Sequence, residues 1–136
     1  MNTATKAAIG LNVHLKTDYE TALSRVLDAI SAEGFGVMTE VDVKATLKQK
    51  LDLDFRRYKI IGACNPSIAH RALIAEPLVT LLLPCNITVD EVAENEVSIS
   101  VLNPHFVGEV LGNDDLVSIM EEAYDRLARA IESLGE

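Results

Sequence analysis

The sequence predicts an α+β fold: an antiparallel or mixed sheet with its long helices packed on one face. Three observations predict it. Most stretches with strand-like alternation carry one apolar and one polar face, whereas a doubly wound parallel sheet needs strands that are apolar on both faces. Two long stretches, one near each end of the chain, repeat apolar residues at helical spacing. Residues 83–102 read as two alternating strands joined by a turn at Glu94-Asn95, which is a hairpin. A flavodoxin-like arrangement is the alternative, because strand and helix patterns alternate early in the chain.

The elements follow in order. Ile9, Leu11, Val13 and Leu15 alternate with Gly10, Asn12, His14 and Lys16, a half-buried strand with His14 on its solvated side. Thr17-Asp-Tyr-Glu20 reads as a capping box, opening a helix to about Glu33 that Gly34 and Gly36 end. Residues 37–43 alternate again, a second one-sided strand, followed by a short helix from Lys44 to about Leu51. Arg56 to Ala63 is a third strand. It is apolar on both faces at Ile60 and Ile61, which suggests a central position. Asn65 caps the next helix, with Pro66 at its first position and an end near Glu76. Leu83, Cys85, Ile87 and Val89 form the fourth strand, and Val97, Ile99 and Val101 the fifth. Asn103-Pro104 ends the hairpin. Gly112-Asn113 precedes the last helix, whose stripe runs from Leu116 to near Leu134.

The 136 residues fit a single domain spanning 1–136, long enough to bury roughly two thirds of its unfolded surface. Aromatics make up only 4% of the chain, so aliphatic side chains must fill the core and a stacking platform for single-stranded nucleic acid is not expected. The net charge of −9 repels nucleic acid and anionic lipid. Residues 1–8 lack the apolar core of a signal peptide, and no apolar run reaches the roughly 20 residues of a membrane span. A cytoplasmic, reduced protein is expected, with no nucleic acid and no membrane among its partners. The aliphatic richness and the need to cover a sheet edge predict a homodimer.

Unusual residues concentrate between Tyr58 and Asn86, where both cysteines lie. Cys64 closes a strand just before a helix N-terminus. The helix dipole there favours a thiolate, burial opposes it, and a pocket opening at the turn is expected to leave Cys64 reactive, below about pKa 8.5. Cys64, His70 and Cys85 converge if the third and fourth strands are neighbours. Three readings follow: two core cysteines beside a helix histidine, a thiol site acting by redox or nucleophilic chemistry, or metal or haem ligation. The spacing Cys-x5-His-x14-Cys matches no zinc signature, so no metal is expected; a fourth ligand would have to come from His105 or an open position. No phosphate-binding loop or nucleophile-elbow motif is present, and the sequence names no cofactor. Asp114-Asp115 and Glu121-Glu122 read as carboxylates of a solvated helix. Lys44, Lys48, Lys50, Arg56, Arg57 and Lys59 form a basic run, either a solvated face or a place for a small anionic ligand or an acidic partner surface.

The stretches Asp42-Val-Lys-Ala-Thr-Leu-Lys-Gln-Lys-Leu, Phe55-Arg-Arg-Tyr-Lys-Ile-Ile-Gly-Ala-Cys-Asn-Pro, Ala69-His-Arg-Ala-Leu and Leu81-Leu-Leu-Pro-Cys-Asn resemble the bacterial and archaeal family catalogued as domain of unknown function 302. The resemblance covers nearly the whole chain. It implies a small α+β domain with a curved, mostly antiparallel sheet of about five strands, and it implies no established activity. The functional expectation is a ligand-binding module centred on the Cys64-Asn65-Pro66 turn and the helix after it, with Cys64, Asn65, His70, Arg71, Cys85 and Asn86 as ligand-binding candidates. The alternatives are a thiol-dependent enzyme using Cys64 and Cys85, with His70 as a further catalytic candidate, and a dimeric interaction protein.

Overall fold

A computed structural model describes residues 9–135, so the leading segment 1–8, expected to carry no leader, lies outside the described residues. Five strands form one sheet: β1 (Gly10–Leu15), β2 (Gly36–Asp42), β3 (Tyr58–Cys64), β4 (Cys85–Ala93) and β5 (Glu96–Leu102). Their order is β1-β5-β4-β3-β2, and every neighbouring pair is antiparallel. The one-sided alternation of the strands has this cause: Leu11, Val13, Leu15, Ile87, Val89, Val97, Ile99 and Val101 are buried beneath helices, while His14 is exposed on the other face. On that open face Asn12 Nδ2 donates to Ser98 Oγ and Ser100 Oγ across the β1–β5 pair.

The helices are α1 (Tyr19–Ala32), α2 (Val43–Leu51), α3 (Pro66–Ala75), α4 (Pro104–Leu111) and α5 (Asp114–Leu134). α1, α3 and α4 each pack against α5. Its buried stripe is Leu116, Met120, Ala123, Leu127, Ala130, Ile131 and Leu134. Asn113 caps it, its Oδ1 accepting from the Leu116 N–H at 3.0 Å, and Asp114 and Asp115 occupy the first turn, where the helix dipole favours carboxylates. The two long helices are also joined at their ends. Arg126 Nη1 donates to the Glu33 carbonyl, and Arg25 Nη2 to the Leu134 carbonyl. Tyr19 is fully buried, and its hydroxyl donates to the Val89 carbonyl at 2.9 Å, pinning α1 to the sheet.

Four local expectations are corrected. The cap of α1 is Asp18 rather than Thr17: the Thr21 N–H and Oγ1–H both donate to its carboxylate at 2.8 Å. Asn103-Pro104 does more than end the hairpin, since it opens α4 with the same Asn-Pro start that opens α3. β2 does not have one buried face: all seven of its residues are exposed, at the edge of the sheet. β3 is interior but not central; β4 holds the centre.

Gly62 explains how the β2 end of the sheet closes. A Cβ built there overlaps the Thr39 hydroxyl and sits 2.8 Å from the Pro84 ring, so only glycine lets these two groups meet over β3. Gly62→Ala is expected to lower stability by about 1–3 kcal/mol through overpacking. Urea unfolding would show a lower midpoint with an unchanged slope.

Candidate functional site

The turn from β3 into α3 is built by sequence-local bonds. The Ile68 N–H donates to Asn65 Oδ1 at 3.2 Å, Pro66 fills a position where no amide proton is needed, and the Ala69 N–H donates to the Asn65 carbonyl. Gly34, with φ +86°, brings the end of α1 against this turn; a Cβ there would lie 2.9 Å from the Asn65 side-chain nitrogen. The far end of α3 is held by Asn113 Nδ2, which donates to the Ala75 carbonyl at 2.9 Å. The helix is therefore capped at its start and tied to the start of α5 at its end.

Beside the turn opens a cleft of about 430 Å³. α3 and the end of β3 contribute Cys64, Asn65, Ile68, Ala69, His70 and Leu73. Phe35, Met38 and Thr39 come from the β2 side, Leu83, Pro84 and Cys85 from the entry to β4, and Met120 and Ala123 from α5. No Asp, Glu, Lys or Arg is among the lining residues; its polar groups are Thr39, Thr80, Asn65 and His70.

Cys64, His70 and Cys85 thus meet in one cleft, as their spacing allowed once β3 and β4 pair with Ala63 opposite Cys85. Both cysteines are free thiols. Cys64 is partly exposed, and burial raises its pKa. The expected lowering by the α3 dipole does not prevail: the Ile68 amide at that terminus is taken by Asn65, and the apolar cleft walls penalise a thiolate. Cys85 is almost wholly buried. Burial, and then the charge of a Cys64 thiolate, push it up to about 12.

Two candidates fall outside the cleft. Arg71 is exposed and its guanidinium donates to both Glu122 oxygens at 3.0 Å. Asn86 is exposed and pairs with Gly62 on the face turned away from the helices. His105 is also remote in the chain of contacts: it stacks on Tyr124 and its Nε2 lies 2.6 Å from Glu121 Oε2. Among the described residues no three His, Cys, Asp or Glu side chains group to hold a metal ion. Five of the six residues of the basic run are engaged within the chain. Lys44 donates to the Phe55 carbonyl, Lys48 meets Asp52 and Asp54, Arg56 meets Asp90, Arg57 meets Glu91 and Lys59 meets Glu40. Of the lining residues the sequence did not single out, Phe35, Met38, Met120 and Ala123 carried only an apolar signal, which a core residue shares.

The two thiols make a measurable prediction. In the native protein, iodoacetamide should label Cys64 slowly at neutral pH, with a rate still rising through pH 9, the ordinary thiol value. Cys85 should react only after unfolding. Because its folded pKa is raised, the folded state keeps the proton that the unfolded chain releases, so stability falls as pH rises from 9 towards about 12. Cys85→Ala should remove that part of the alkaline loss. A labelling rate for Cys64 that levels off below about pH 8 would show a stabilised thiolate instead.

Comparison with known proteins places the chain. The crystal structure of an uncharacterized conserved protein, DUF302, from Bacillus stearothermophilus superposes with a TM-score of 0.83 at 28% sequence identity, covering 93% of this chain and 98% of that one. No curated protein matches. Among the described residues no helix is long and apolar enough to cross a membrane. The family model described as domain of unknown function DUF302 matches residues 11–134, from the first buried leucine of β1 to the last of α5. The chain belongs to the DUF302 family.

Proposed function

We propose that this protein binds a small, largely apolar molecule in the cleft at the Cys64-Asn65-Pro66 turn. The observation that carries the reading is the lining: mostly aliphatic, aromatic, methionine and thiol side chains with a few polar groups and no Asp, Glu, Lys or Arg. Ligand sites are concave, mostly apolar, and of roughly 300–1,000 Å³, a range that includes this cleft. An apolar surface left open to water costs free energy that an apolar occupant recovers. Asn65, Thr39, Thr80 and His70 are the groups available to orient such a ligand.

The lining also argues against the small anionic ligand expected from the basic run. The cationic side chains nearest in sequence to the turn are engaged elsewhere, Arg71 by Glu122 and Lys59 by Glu40. The thiol-enzyme reading is the weaker one. A nucleophilic or redox thiol works as the thiolate, and burial holds both Cys64 and Cys85 protonated above the ordinary range.

A neutral fluorophore, N-phenyl-1-naphthylamine, tests the proposal. Fluorescence titration should show saturable binding of one molecule per chain. Ala69→Phe, which fills the cleft from α3, should weaken it by about tenfold or more. Arg71→Ala, outside the cleft, should leave it unchanged. Absence of saturable binding, or equal binding by Ala69→Phe, would reject the cleft as a ligand site.

A further inference from the structure

We infer that the ligand of the cleft is a neutral amphiphile, a molecule with an apolar body and a hydroxyl group, held body inward with the hydroxyl at the mouth. This rests on the cleft being a ligand site, and adds what the ligand is and which way it lies. The lining sorts by depth. Phe35, Ala63, Ile68, Cys85, Met120 and Ala123 form the floor, none of them more than 4% exposed. The floor offers no hydrogen-bonding side chain beyond one weak thiol. Thr39, His70 and Thr80 are exposed and Asn65 is half-buried, so every strongly hydrogen-bonding side chain of the lining lies towards the mouth.

Depth sets the chemistry of each end of the ligand. A polar group pushed onto the floor would lose its water and find no partner, so the inner part must be hydrocarbon. At the mouth the polar side chains are not equally available. Thr80 Oγ1 donates to the Pro77 carbonyl, and Asn65 Oδ1 accepts from the Ile68 N–H. The His70 ring and the Thr39 hydroxyl make no hydrogen bond among the described residues. A threonine hydroxyl both donates and accepts, and a neutral imidazole has one nitrogen for each role. A ligand hydroxyl has the same double capacity, so it can meet either group.

Charge narrows the class further. A carboxylate would enter without a cation to meet it: no Lys or Arg lines the cleft, and Arg71, beside His70 in the chain, is held by both oxygens of Glu122. The net charge of −9 also repels an anion on approach. An ammonium group fares no better inside, because no Asp or Glu lines the cleft either. Stripping water from an ion with no counter-charge costs far more than stripping it from a hydroxyl. Met38 at the mouth and Met120 on the floor are unbranched and adaptable, so the buried length of the apolar body, more than its exact shape, sets the affinity.

Displacement of N-phenyl-1-naphthylamine from the unaltered protein tests this, at about pH 8, where a free carboxylic acid and a free alkylamine are both charged. Hexan-1-ol, octan-1-ol and decan-1-ol should displace the fluorophore with an affinity that rises about fourfold per methylene until the floor is filled. Decanoate and decylamine should each bind about tenfold or more weakly than decan-1-ol. The double variant Thr39→Val, His70→Leu replaces both mouth groups by apolar ones. Its affinity for decan-1-ol, taken relative to that for the fluorophore, should fall about fivefold. A protein that does not bind the fluorophore would reject the cleft as a ligand site, and this inference with it. A fluorophore that binds but is not displaced by the alcohols would overturn the neutral amphiphile alone. So would decanoate or decylamine binding as tightly as decan-1-ol, or an unchanged ratio in the variant. Should the variant fail to fold, the comparison of alcohol, acid and amine on the unaltered protein decides.

Discussion

Leu116, Met120, Ala123, Leu127, Ala130, Ile131 and Leu134 recur at three- and four-residue spacing along α5, and α1, α3 and α4 pack against that helix. Each large aliphatic side chain buried this way contributes about 1.5–3 kcal/mol. The sheet supplies the matching surface, with the inward residues of β1, β5 and β4 all aliphatic or cysteine. The few buried polar contacts serve this packing: Tyr19 on the Val89 carbonyl satisfies both groups where an unpaired carbonyl would be costly. The order of the layers therefore follows from one stripe on one helix meeting one face of one sheet.

The cleft is a consequence of the same packing at its margin. Towards β3 the side chains facing each other shrink to Ala63, Ala69 and Ala123, and the flexible Met38 and Met120 stand at the sides. Elsewhere the interior interdigitates, but these small residues cannot reach across. Gly34 and Gly62 remove the remaining bulk, one admitting Asn65 and the other admitting Thr39 and Pro84. The resulting space is apolar, which is why the two thiols beside it stay protonated and why its chemistry is that of solvation rather than of charge.

Electrostatics acts at a distance from the cleft. Arg56 and Arg57 each make two donor contacts with Asp90 and Glu91, joining the start of β3 to β4 across 34 residues of chain. These guanidinium groups also lie over Phe55 and Tyr19. The guanidinium groups are exposed and the carboxylates only partly so; each pair contributes modestly to stability and is compatible with the observed register of the two strands. Four of the six residues of the basic run, Lys48, Arg56, Arg57 and Lys59, are paired with carboxylates in space.

Much of the architecture was legible because it depends on short-range rules. The Asn65-Pro66 start of α3, the Glu94-Asn95 turn with Asn95 at φ 55°, and the α5 stripe are properties of a few adjacent residues. The same rule applied at Asn103-Pro104 identifies α4, where an eight-residue helix shares its signature with a simple strand end. The concentration of unusual residues between Tyr58 and Asn86 marked Cys64, Asn65, His70 and Cys85 as candidates. The tertiary structure alone decided that they share one cleft with Phe35, Met120 and Ala123, and that Arg71 and Asn86 turn away from it. It also decided that β2, whose alternation resembles that of β1, lies exposed at an edge. Alternation records which side chains share a face, but whether a helix covers that face is set by elements distant in the chain.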